Sequence, residues 1–181
     1  MKKIVVVCGL TAGFIVAMVM VISIALCYGT GDFEGNVFVG YASMLLAFSL
    51  IFVGIKNYRD KYNGGVVSFG KAFKIGFFIS LIASTLYVIV WLIDYYLFVP
   101  DFMDKYTAHI LKQTRAEGGG QREIDDKLSE MATFKELYKN PLMVVLLTYA
   151  EILPVGLIVS LISALLLKRK VKSQPLEVVQ S

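Results

Sequence analysis

Two acids stand inside apolar sequence, and they are the residues best placed to do chemistry. Glu151 lies in the run 141–167, three residues before Pro154, and Asp94 lies near the end of the run 72–99. Glu151 is ten residues from Pro141, so in a membrane-spanning helix it would sit roughly 15 Å deep at about 1.5 Å per residue. The hydrocarbon core is about 30 Å thick, which puts Glu151 near its midplane. A bare carboxylate there is costly, so the group must be neutral, cation-bound or on a water-filled path. All four apolar runs lack a Lys or Arg at that depth. Two chemistries follow: a proton or cation relay, or a protonated acid bonded to a carbonyl freed by Pro154. Tyr87 and Thr148, in the same two runs, join Glu151 and Asp94 as a candidate intramembrane polar site.

Other chemistry finds little support. The single histidine, His109, rules out HExxH and histidine clusters, so no metal or cofactor is expected. No serine occupies a Gly-x-Ser-x-Gly elbow, and the Gly-x-Gly-Asp pattern of intramembrane aspartyl proteases does not occur. Gly65 to Lys71 matches the start of a phosphate-binding loop, but Ala72 stands where the magnesium-binding hydroxyl belongs and no buried strand precedes it. Its glycines read better as a loop returning the chain to the membrane. An enzyme is not expected.

The elements that hold these residues follow from composition. Hydrophobic residues make up 57% of the 181, and the mean hydropathy is +0.69. A soluble domain of this length cannot hide so many apolar side chains. The expected architecture is all-α: one integral membrane four-helix bundle over 1–181, with spans 4–28, 36–55, 72–99 and 141–167. An amphipathic extracytoplasmic helical hairpin, 101–140, lies between the third and fourth spans, and a basic cytoplasmic tail covers 168–181. The first run is too long for a signal-peptide core and lacks a small-x-small cleavage site. Leu26, before Cys27, is too bulky for a lipoprotein signal. Cys8 and Cys27 share one helix and cannot pair. Asn63-Gly64-Gly65 marks a turn, and Ser68 is a helix cap.

The hairpin reads as two helices around Gly118-Gly119-Gly120. One face carries Phe102, Tyr106 and Ile110; another carries Ile124, Leu128, Met131 and Leu137 or Tyr138. Mixed charges suit a solvated cap, with a ligand- or partner-binding cap as the alternative. Small residues recur every four positions at Gly9, Gly13 and Ala17, at Gly76, Ser80 and Ser84, and at Gly156, Ser160 and Ala164. Such stripes let helices approach closely, and the last two are expected to pack the third span on the fourth.

The net charge of +4 is not a nucleic-acid signal, because the basic residues flank apolar runs. Lys2, Lys3, Lys56, Arg59, Lys61, Lys71, Lys74, Lys168, Arg169, Lys170 and Lys172 all fall where both termini are cytoplasmic. The expected partners are the lipid bilayer and either a second copy or another membrane protein.

The stretch from Gly54 to Lys74 holds Asn57-Tyr58-Arg59 and Ser68-Phe69-Gly70-Lys71-Ala72. With the apolar runs around it, the chain from Lys3 to about Lys170 resembles the family catalogued as domain of unknown function 4199. The resemblance implies a small integral protein of a Gram-negative bacterial inner membrane, with no established activity and no catalytic residue to transfer. The function expected is therefore that of a non-enzymatic structural or accessory membrane protein. The alternative is a small proton- or cation-coupled transporter using Glu151 and Asp94.

Overall fold

A computed structural model describes residues 1–31, 33 and 37–169. The described residues form six α-helices: α1 Lys2–Thr30, α2 Val37–Asn57, α3 Phe69–Ile93, α4 Phe102–Ala116, α5 Gln121–Tyr138 and α6 Pro141–Leu167. The fold is all-α, and four of its helical spans are long and apolar enough to cross a membrane: Lys2–Thr30, Val39–Tyr62, Phe69–Phe98 and Pro141–Leu167. A helix satisfies its own backbone, which suits such apolar sequence to lipid.

Local signals set the boundaries. Ser68 caps α3 by accepting the Lys71 amide at 3.4 Å. Asn140 caps α6 by accepting from Leu142 at 3.0 Å, with Pro141 in the first turn. Gly118, at φ 83°, takes the left-handed conformation that breaks α4 from α5. Helix runs past two of the expected span ends. Beyond residue 55 it continues to Asn57 and then as a π-helical segment, Tyr58–Tyr62. The polar Lys56–Tyr62 stretch can stay helical because the turn is made after it, by Gly64 and Gly65 at φ 62° and 79°. The third span begins three residues before position 72 and closes as a second π-helical segment, Asp94–Phe98, in which the Val99 amide donates to the Asp94 carbonyl at 2.9 Å.

The helix α3 is the hub. It packs along α1 and α6 and touches α2, while α1 and α6 make at most a marginal contact with each other. One face of α3 takes α1: a Cβ at Gly9 would meet Ile82 Cβ at 2.8 Å, and one at Gly13 would meet Ala83 Cα at 3.0 Å. Phe48, Ile51 and Ile55 of α2 are fully buried in the same core.

At one end the basic residues gather. The α2 residue Gly54 lies against Cys8 and Ile4 of α1. Val67 and Arg169 exchange backbone hydrogen bonds at 3.2 and 2.9 Å as an antiparallel bridge. Lys71 Nζ stands 5.1 Å from the centre of the Tyr58 ring, and buried Arg59 donates from Nε to Asp60 at 2.6 Å. Of the expected tail, 170–181 lies outside the described residues.

At the other end, α4 and α5 form the cap. Tyr28 donates to Asp101 at 2.7 Å. Phe102 packs edge-on against Trp91, and Tyr138 edge-on against Tyr95. Lys135 pairs with Asp104 across the hairpin. The cap's buried anchors are Met103 and Met131, whereas Leu128 is 49% exposed. The hairpin thus seats through Met103 and Met131 and leaves Leu128, expected on the apolar face, outside.

Candidate functional site

With α1 and α6 packed mainly on α3, residues of all three helices and of the cap surround a gap where the cap begins. The result is a cavity of ≈ 550 Å³. Its walls come from short helical spacings. Met20 and Ile24 of α1, Tyr87 and Trp91 of α3, and Thr148 and Glu151 of α6 each lie three or four residues apart, so each pair shares a face. The cap adds Phe102, Met103 and Tyr106 from α4 and Glu130, Met131, Phe134 and Tyr138 from α5.

Tyr87, Thr148 and Glu151 of the candidate polar site therefore meet on one cavity. Glu151 is exposed to it. Thr148 is buried and donates to its own helix, at Val144 O, 2.7 Å away. Asp94 is placed elsewhere. It is 8% exposed, is not part of the cavity wall, and its Oδ2 is buried without a hydrogen-bond partner among the described residues. Asp94 and Glu151 therefore do not form a pair in the cavity.

The small-residue stripes lie on the side of Glu151 away from the cap. A Cβ on Gly76 would come within 2.8 Å of Ser160, and one on Gly156 within 2.8 Å of Ser80. The two hydroxyls, Ser80 and Ser160, are 3.0 Å apart and fully buried. Ser84 and Ala164 are also buried, with Ser84 Oγ unpartnered among the described residues. Further towards the cap, Thr85 Oγ1 and Tyr149 Oη lie 2.8 Å apart. The α3–α6 seam is thus closed by backbone approach and hydroxyl contacts.

Among the described residues, the charged groups on the cavity wall are Glu130 and Glu151; Glu130 is paired with Lys127 at 2.8 Å. Burial, and after it the neighbouring Glu151 charge, pushes the Tyr138 phenol above its ordinary value. No group of three or more His, Cys, Asp and Glu able to hold a metal occurs among the described residues. Sequence reasoning missed Trp91 and Glu130 as wall residues. The i, i+4 pair Tyr87 and Trp91 was a usable signal for the first. Nothing local marks Glu130, which reaches the site only because the hairpin folds over it.

Residues 8–169 match the model of a family described as "Protein of unknown function (DUF4199)". No curated protein and no solved structure matches the chain.

Proposed function

The chain belongs to the DUF4199 family, whose description carries no activity, and from the geometry we propose that it is a non-enzymatic accessory protein of a bacterial inner membrane. The observation that supports this reading is the closed seam: next to Glu151, α3 and α6 meet through Gly76, Ser80, Gly156 and Ser160 with no room for a Cβ. Close small-residue packing of this kind favours a solid helix pair over a water-filled path. Glu151 then lies on a cavity that the cap helps to wall, as in a receptor site. The distribution of Lys and Arg favours cytoplasmic termini and an extracytoplasmic cap.

A carrier needs the path that the seam closes. Proteoliposomes holding a pH-sensitive dye separate the two readings. An accessory protein gives the proton flux of empty vesicles, with or without Glu151→Gln. A flux above that of empty vesicles that Glu151→Gln abolishes would overturn the accessory reading.

A further inference from the structure

We propose that the cavity under the cap binds an amphipathic organic cation: an ammonium group carried on an apolar or aromatic body. The inference rests on the cavity wall alone and stands whether or not the accessory reading does. Three features of the wall select that chemistry.

The first is charge. The wall holds Glu130 on the cap and Glu151 on α6, and no Lys or Arg. Lys127 already pairs with Glu130 at 2.8 Å, so Glu151 is the carboxylate a ligand has to answer: an anion would meet its like charge, and a neutral ligand would leave it without a counter-charge in a largely apolar site. The second is the aromatic content. Tyr87, Trp91, Tyr106 and Tyr138 line the cavity, and the electron-rich faces of such rings attract an ammonium within about 6 Å. The third is the remainder of the wall, where Met20, Met103 and Met131 supply adaptable, polarisable surface for an apolar body. A bare metal ion fits worse, since a hard cation such as calcium takes about six to eight oxygens. The volume of ≈ 550 Å³ lies within the roughly 300–1,000 Å³ of small-molecule sites.

Trp91 is the only tryptophan of the chain, so its emission reports on the cavity directly. The full chain in lipid nanodiscs is titrated with benzyltrimethylammonium, its neutral carbon analogue neopentylbenzene, and the anion phenylmethanesulfonate. The expected result is a saturable change of Trp91 emission with the cation alone. Glu151→Gln should then weaken its Kd about ten-fold, as loss of a charge-assisted contact in a low-dielectric site does. Glu130→Gln, on the cap, leaves the Lys127 charge without its partner and should weaken it about two-fold, and it tests the charge argument independently of any change within the apolar helices. Equal response to the neutral analogue, absence of saturation with the cation, or unchanged affinity in both variants would overturn the proposal.

Discussion

The side-chain oxygens of Ser80 and Ser160 lie 3.0 Å apart, and each serine sits over the other helix's glycine, Ser80 over Gly156 and Ser160 over Gly76. The relation is reciprocal because the helices are antiparallel and both carry glycine four residues before serine. Each hydroxyl also reaches its own helix, Ser80 to Gly76 O at 3.0 Å and Ser160 to Gly156 O at 2.7 Å. Two protons therefore serve three contacts. Ser80→Ala or Ser160→Ala should each cost about 0.6–1.7 kcal/mol, the range of interhelical hydrogen bonds in membranes. The double variant should cost less than the two singles together, because both remove the same interhelical bond. Unfolding in mild detergent measures all three; strict additivity would show that the hydroxyls do not interact.

Gly156→Ala places a methyl 2.8 Å from Ser80 and 3.0 Å from the Phe48 ring. Phe48 is fully buried and cannot swing away. Overpacking of this kind costs about 1–3 kcal/mol, and Gly156→Leu should cost more. A melting temperature in detergent unchanged by both would contradict the close approach of α3 and α6.

The Asp101 carboxylate holds the cap to α1. It accepts from Tyr28 at 2.7 Å and pairs with Lys105 at 2.9 Å. The Lys105 contact first, then the Tyr28 hydrogen bond, holds its carboxyl below the ordinary value of 3.8. A depressed folded value means that the stabilisation is present in full above the unfolded value and is lost as pH falls through the folded one. Amide exchange in the first turn of α4 should therefore accelerate below about pH 4, and Asp101→Asn should flatten that dependence. An α4 exchange profile that is the same in parent and variant would remove Asp101 as the latch.

The bridge between Val67 and Arg169 closes the basic end. Val67 is 1% exposed, and its amide donates to Arg169 O at 3.2 Å. Truncation after Lys168 removes that acceptor, so the Val67 amide should exchange about ten-fold faster or more, as local opening there becomes easier. Protection unchanged by truncation would mean that burial alone shields the amide.

Orientation is tested by membrane-impermeant thiol labelling after Ser129→Cys or Ser173→Cys, in a background lacking Cys8 and Cys27. Labelling from outside the inner membrane is expected on the cap, at 129, and not at 173. The opposite pattern would reverse the proposed topology.

The sequence by itself determined the class. Hydropathy is a property of each segment alone, so four long apolar runs are readable without any knowledge of their neighbours. Caps are equally local, which is why Ser68 and the glycines at 118–120 marked real boundaries. The stripes at Gly76 and Gly156 announced close packing, since only small residues let backbones meet in lipid. What the sequence left open was which surfaces meet. Lipid offers no hydrophobic preference between helices, so pairing is decided by shape over residues far apart in the chain. Gly9 and Gly13 carry as good a stripe as Gly76, yet they seat on Ile82 and Ala83 on a different face of α3. The same packing leaves α1 and α6 in at most marginal contact, with the cavity at Glu151 walled by both and by α3. Asp94 falls outside that cavity, and the lie of the hairpin buries Met103 while exposing Leu128. These outcomes depend on side chains from four or more segments fitting at once, which no periodicity within one segment records.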